Sequence, residues 1–368
     1  MKSKSMDNFS NSKKIGRTWF VGTFAAVLIL LIVFSGNILR DQLISEDFPL
    51  SKQWSLSLQG SIQQLSLAGN QTLLVMTRTK LYALDNATGD VLWTHDLHWQ
   101  TITKPALAQN ELVFLTDGQG ISALDLSDGN LVWQQPVYRA QNAQIAFVSD
   151  DFVAVSYRPY LNVYEASTGD LLWSKSVCRE TVHPYIYGNA IYIPCYGVTA
   201  MDVRTGEIVW ATESPDRIWN AGYSEGIMYS SPNRRAVIAY DLESREVLWN
   251  TPLKSERVNE FQVAGDFLLL TDTLQFCVLR RTDGEIIWCA NSGWKMQNPV
   301  IVMDIGYIFN GPQTVVYAFD TTDGTQIGKL TLARLDFITV YRQLLISLDD
   351  MLIFARGDNI FAFGVEEK

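Results

Sequence analysis

The stretch Leu81-Tyr82-Ala83-Leu84-Asp85-Asn86-Ala87-Thr88-Gly89-Asp90-Val91-Leu92-Trp93 decides how the rest of the chain is read. Two short runs of aliphatic, β-branched and aromatic residues flank Asp, Asn, Thr and Gly, the composition of a β-hairpin whose glycine supplies the positive φ of the turn. The Asp85 carboxylate is placed to accept hydrogen bonds from backbone N–H groups of that turn, as Asx-type turns do. The unit repeats. Tryptophan recurs at Trp54, Trp93, Trp133, Trp173, Trp210, Trp249 and Trp288, at intervals of 37 to 40 residues, usually with an aspartate eight positions before it and a glycine four positions before it. The aspartates are Asp85, Asp125, Asp202, Asp241 and Asp320; the glycines are Gly89, Gly129, Gly169, Gly206, Gly284 and Gly324. Later copies decay: Arg245 takes the glycine place before Trp249, Arg280 takes the aspartate place before Trp288, and Gly328 stands where an eighth tryptophan would fall.

Upstream of each hairpin lie two more strand-like runs, such as Gln64-Leu65-Ser66-Leu67 and Thr72-Leu73-Leu74-Val75-Met76. Four short strands in a period of about 40 residues describe one propeller blade. The last copy, Asn359 to Gly364, stops after its third strand, whereas Gln53-Trp54-Ser55-Leu56-Ser57-Leu58 is a tryptophan strand with no hairpin before it. The N-terminal strand is therefore expected to complete the C-terminal blade. The reading is all-β: an eight-bladed β-propeller of four-stranded antiparallel blades over residues 51–366, closed into a ring without exposed sheet edges and expected to be monomeric.

The string Ala-Leu-Asp-x-x-Thr-Gly-x-x-x-Trp resembles the tryptophan-docking repeat of the PQQ-like propellers, which include quinoprotein alcohol dehydrogenases and the propeller lipoprotein of outer-membrane β-barrel assembly. The resemblance covers about residues 50–366. WD40 repeats are disfavoured because no Trp-Asp dipeptide follows the period, and kelch repeats because their period is nearer ~50 residues. The family holds enzymes, scaffolds and sensors on one architecture, so function has to be argued from a site.

Before the propeller, Thr18 to Leu39 carries no charge over 22 residues, enough for a helix to span ~30 Å of hydrocarbon. Lys2, Lys4, Lys13, Lys14 and Arg17 precede it against Asp7 alone. The positive-inside rule then gives residues 1–17 as a cytoplasmic segment, 18–39 as a transmembrane signal anchor, 40–50 as a linker, and an extracytoplasmic propeller on a single-pass protein of the cell membrane. The alternative is a signal peptide cleaved near Val33-Phe34-Ser35. Because the linker leads into the Trp54 strand at its hairpin-side end, the hairpin-turn face is expected nearer the membrane. No cysteine precedes Cys178, so the lipid-accepting cysteine of the barrel-assembly relative is missing. In an oxidising compartment the four cysteines read as two bridges. Cys277 and Cys289 fall opposite each other on one hairpin, and Cys178 and Cys195 end strands on the same rim of adjacent blades. Four buried thiols are the alternative.

The sequence carries no recognisable catalytic signature. The resemblance to quinoprotein dehydrogenases would imply PQQ beneath two adjacent cysteines, calcium held by carboxylate and amide ligands, and a catalytic aspartate; no Cys-Cys dipeptide exists, and the repeated aspartates read as turn residues. His95, His98 and His183 are the only histidines, and no nucleophile-elbow or phosphate-loop motif is present. No cofactor or metal is assigned. PQQ with calcium stays as an alternative, as does a sensor of a small molecule or glycan.

The propeller topology sorts residues by face. The seven hairpin turns hold fifteen Asp/Glu against four Arg, which makes their face strongly acidic. The opposite face, made of strand 2–3 loops and blade connections, mixes charges with off-period aromatics: Trp99, Arg158, Tyr160, Trp219, Arg234, Arg235 and Trp294 form the candidate protein-interaction face. The net charge of −10, or about −14 without the basic first 17 residues, excludes a nucleic-acid partner. The favoured function is a membrane-anchored, extracytoplasmic, non-catalytic scaffold or binding module for protein partners.

Overall fold

The middle strands of each repeat are continuous apolar runs because neighbouring blades cover them on both sides. In the computed structural model, strands β1 (Leu43–Glu46) and β2 (Ser51–Ser57) precede the four strands of the first blade, β3 (Ile62–Ala68), β4 (Thr72–Thr77), β5 (Lys80–Asp85) and β6 (Val91–Asp96). The described residues are 43–97, 107–116, 119–137, 143–157, 159–178, 184–232, 235–253, 258, 260–271, 275–291, 296–310, 315–332, 343–348 and 350–364. Their strands form eight antiparallel sheets. In blade 1, Leu73, Val75, Leu81 and Leu84 are fully buried, whereas Val91 and Leu92 on the outermost strand are half exposed. The innermost strand β3 touches the innermost strand of the eighth blade, Gln343–Leu348, which closes the ring. The eighth sheet has the order β2, Asn359–Gly364, Met351–Arg356, Gln343–Leu348, so β2 completes the C-terminal blade.

One contact joins blade to blade. The indole of Trp54 donates to the Asn86 carbonyl at 2.9 Å, that of Trp93 to Leu126 at 2.7 Å, and that of Trp133 to Ala166 at 2.9 Å. Trp173, Trp249 and Trp288 donate likewise to Val203, Arg281 and Thr321. Each acceptor lies in the hairpin turn of the following blade, and each indole face lies on the glycine of that turn. A Cβ added to Gly129 would stand 2.5 Å from the Trp93 ring, and one on Gly169 2.6 Å from Trp133. The glycine thus has two reasons to be there: a φ of +74° at Gly129, and no room for a side chain. Two residues beyond the tryptophan, His95, Lys175 and Thr251 donate to the carbonyls of Gly129, Gly206 and Gly284. Trp210 faces Arg245 instead of glycine; the guanidinium lies 5.1 Å from the ring centroid, a cation–π contact in place of the glycine seat.

A β-bulge re-aims the tryptophan. Leu84 pairs with Val91 and Ala83 with Trp93, leaving Leu92 as the extra residue, and the same shift precedes Trp133, Trp173, Trp249 and Trp288. A bulge bends and twists its strand, which turns the indole toward the next blade. The turns are capped as the aspartates suggested: Asp85, Asp202 and Asp241 each accept N–H bonds from the second and third residues after them. These bonds, with hydroxyl donors at Ser127 and Thr322, hold the carboxyls of Asp125, Asp202, Asp241 and Asp320 below the usual carboxylate range.

The lost eighth tryptophan has a structural cause. Residues 43–46 lie inside the segment expected to be a linker, yet they form β1, which adds a fifth strand to blade 7 by pairing antiparallel with Gln326–Leu332. A Cβ on Gly328 would lie against the Asp47 carbonyl, so the chain itself occupies the tryptophan's place. The eighth blade also offers no hairpin turn to receive an indole, because its third and fourth strands come from opposite ends of the chain. Phe48 fills the seam, its ring edge-on to Tyr307 at 5.6 Å and to Phe363 at 5.9 Å.

β1 also reverses the expected course of the chain. Leu43 pairs with Leu332, at the blade-connection end of the strand Gln326–Leu332, and Glu46 with Lys329. The described chain therefore begins on the face opposite the hairpin turns, climbs along blade 7, crosses at Phe48 and descends as β2. The chain enters β2 from the hairpin face as expected, but residues 43–46 of the expected linker run up to that face from the opposite one. Cys178 is bonded to Cys195, joining blades 3 and 4 on that opposite face, and Cys277 is bonded to its cross-strand partner Cys289. The anchor expected at 18–39 lies outside the described residues.

Gly129→Ala and Gly69→Ala separate the indole seat from the turn conformation. Both glycines have positive φ, but nothing approaches a Cβ at Gly69. In guanidinium unfolding Gly69→Ala is expected to cost about 1 kcal/mol, and Gly129→Ala about 1–3 kcal/mol more; equal losses would deny the indole contact a stabilising role. Phe48→Ala is expected to cost about 2–3 kcal/mol, and Gly328→Trp, which restores the repeat consensus, also to destabilise. A gain from Gly328→Trp would contradict the seam described here. The four lowered aspartates stabilise the fold fully above their unfolded pKa of about 3.9 and lose that contribution as pH falls through the folded values. The denaturant midpoint is accordingly expected to drop below about pH 4, and a midpoint unchanged from pH 5 to 3 would exclude the caps as stabilising.

Candidate interaction site

The hairpin-turn face carries a cleft whose lining is defined by described residues of three blades. Strand 1–2 loops of blades 2, 3 and 4 meet the hairpin turn of blade 4 around a cleft of about 500 Å³. Gln109 reaches from the end of an inner strand to the Asp150 carboxylate, and Asn110 to the Asp150 carbonyl at 3.4 Å, which ties blade 2 to the blade 3 loop. Across the cleft, the Arg204 guanidinium stands 4.8 Å from the Phe152 ring centroid and 3.9 Å from the Asp151 carboxylate. Asp151 and Arg204 side chains are mostly solvent-exposed, so this pair contributes little stability. It sets a carboxylate and a guanidinium side by side above an aromatic floor.

That floor continues into the ring. Phe147, Tyr185 and Tyr223 occupy the inner strands of blades 3, 4 and 5; Phe147 meets Tyr185 edge-on at 5.7 Å, and Tyr185 stacks on Tyr223 at 4.3 Å with the rings 7° from parallel. Desolvation by burial pushes the Tyr185 and Tyr223 hydroxyls above the ordinary tyrosine pKa. Tyr187 ends the same inner strand as Tyr185 and remains 39% exposed at the cleft, its ring packed where a Cβ on Gly226 would fall. Beside it, Arg281 donates to Ser224 at 2.5 Å and pairs with Glu225 at 3.2 Å, fixing the next loop in place. Sequence reasoning missed this aromatic row because it belongs to no repeat position; only the clustering of Tyr185 and Tyr187 in one short strand signalled it.

The residues expected on the opposite face are placed unevenly. Tyr160 is 42% exposed and stacks on Tyr157 with a centroid distance of 5.4 Å. Arg235 is exposed. Trp219 lies in the strand Ile218–Ser224, whereas Trp99, Arg158, Arg234 and Trp294 lie outside the described residues.

Among the described residues no side chains are arranged to hold PQQ with calcium. The turn carboxylates that might ligate calcium already accept hydrogen bonds from their own turns. Among the described residues no three His, Cys, Asp or Glu side chains converge. The cysteines are committed in two pairs, neither between adjacent residues. His95, the one histidine among the described residues, donates to the Gly129 carbonyl and serves the blade contact.

Comparison with known proteins agrees with this arrangement. A family profile described as outer membrane protein assembly factor BamB matches residues 51–182, 121–215 and 196–367. The chain is 24% identical over 181 residues to the outer membrane protein assembly factor BamB of Yersinia pestis; the match covers 45% of this chain and 44% of that protein, so less than half the relative's length is aligned. Among solved structures, BamB from Moraxella catarrhalis superposes with a TM-score of 0.67 at 15% identity, covering 87% of this chain and 98% of that one. Quinohemoprotein alcohol dehydrogenase from Comamonas testosteroni superposes with a TM-score of 0.63 at 10% identity, covering 87% and 77%, which shows the shared fold alone. With the profile spanning the whole propeller, the chain belongs to the BamB family, in the non-enzymatic branch of the PQQ-like propellers.

Proposed function

We propose that this protein is a membrane-tethered, extracytoplasmic, non-catalytic scaffold that holds a protein partner at the cleft between blades 2, 3 and 4. The observation that carries the reading is the cleft itself, in which Tyr187, the Arg204–Phe152 pair and the Asp150 and Asp151 carboxylates converge on one opening. Aromatic and arginine side chains are the groups on which protein interfaces concentrate their binding energy. Paired charges around them select orientation and partner. Family membership supports a role in protein complexes. The tether is residues 18–39, with residues 1–17 on the cytoplasmic side.

A photo-reactive amino acid in place of Tyr187, in the full chain in its native membrane, tests the site. Discrete protein adducts are expected there, and Asp151→Lys with Arg204→Glu should reduce them severalfold by reversing both charges. Adducts unchanged by the double reversal, or formed only from Thr79 on the opposite face, would refute the cleft as the docking surface.

A further inference from the structure

The direction of β1 bears on how the propeller stands on a membrane. Leu43, the first residue of β1, lies at the blade-connection end of blade 7 because it pairs with Leu332. Only Arg40, Asp41 and Gln42 separate it from Leu39, the last residue of the apolar run. Four Cα steps reach at most ~15 Å. Six residues of strand stand ~20 Å tall, so this tether is too short to bring the hairpin face down to the bilayer while β1 stays paired.

The two faces differ in what they offer a lipid surface. On the side where the chain leaves, Tyr160 and Tyr196 are 42% and 59% exposed, and Arg78 and Arg235 are exposed. Lys80 is neutralised by Asp96 at 2.6 Å, and Glu213, Asp216 and Asp358 bring the described charge of this face close to balance. The hairpin face, with fifteen acids against four arginines in its turns, would be repelled by anionic headgroups, whereas arginine and interfacial tyrosine are the residues that settle at headgroup level.

We propose that the face bearing Arg78, Tyr160, Tyr196 and Arg235 lies flat against an anionic bilayer surface, so that the acidic face and its cleft point away from the membrane. This rests on the reading of residues 18–39 as the anchor. It re-reads the aromatic and arginine residues of that face as lipid contacts rather than partner contacts. Arg78 belongs to blade 1 and Arg235 to blade 5, which are opposite each other in an eight-membered ring and equally distant from blade 7. They report separately on a disc lying flat and on one standing on its edge.

The test uses the full chain in vesicles of phosphatidylcholine and phosphatidylglycerol, part of the phosphatidylcholine carrying a spin label on its headgroup. All four native cysteines are bonded in pairs, so a single introduced cysteine takes the fluorophore: Arg78→Cys, Arg235→Cys or, on the hairpin face, Ala87→Cys. Co-flotation in alkaline carbonate is read first. A chain that fails to float overturns the anchor and this proposal with it. For a chain that floats, strong quenching at 78 and 235 and little at 87 is the expected result. Quenching strongest at 87, or weak at both 78 and 235, would overturn the orientation while leaving the anchor standing.

Discussion

Everything in this ring depends on the seat of one indole on one glycine. A propeller blade is a small twisted sheet that cannot bury its two faces alone, so stability comes from stacking on neighbours. Here the bulge before each tryptophan turns the ring out of its own sheet, the glycine of the next turn leaves room for it, and the turn carbonyl receives its N–H. The aspartate acts one step further back by holding the turn, and hence the carbonyl, in position. The repeat string is therefore a single inter-blade device written along eleven residues.

The exceptions follow from the same device. Trp210 meets Arg245, which holds a positive φ of 63° without being glycine and covers the ring with its guanidinium. At the closure the device fails altogether, since two chain ends cannot make a turn. The protein substitutes a strand and a phenylalanine: β1 thickens blade 7, Asp47 lies over Gly328, and Phe48 packs between Tyr307 and Phe363. This staple places Leu43 on the face opposite the hairpin turns, so the ring's closure and the course of its first strand have one cause.

Much of this was legible in the sequence, because a period of tryptophan, aspartate and glycine carries its own register. The blade number, the clasp strand at Trp54 and the capping role of Asp85, Asp202 and Asp241 could all be read from spacing. Gly328 could be read as a loss but not explained, since its cause lies in Asp47 and Phe48, nearly the whole chain away. β1 was hidden for a related reason: Leu43 to Glu46 is four residues with no repeat partner, and only pairing with Lys329 to Leu332 makes them a strand. The cleft was invisible because Gln109, Asp150, Tyr187 and Arg204 come from three blades and occupy positions that the repeat leaves free to vary.

That rigidity is what a binding surface needs. A docked ring presents loops at fixed spacing, and loops on a rigid frame are where binding is built. Amide and indole hydrogen exchange followed by NMR on the full chain, with indole-labelled tryptophan, tests the central claim most directly. The account predicts that the indole protons of Trp54, Trp93, Trp133, Trp173, Trp249 and Trp288 exchange together, slowly, and only through cooperative opening, with Trp210 exchanging faster. Six indoles that exchange independently, as fast as Trp210, would contradict it.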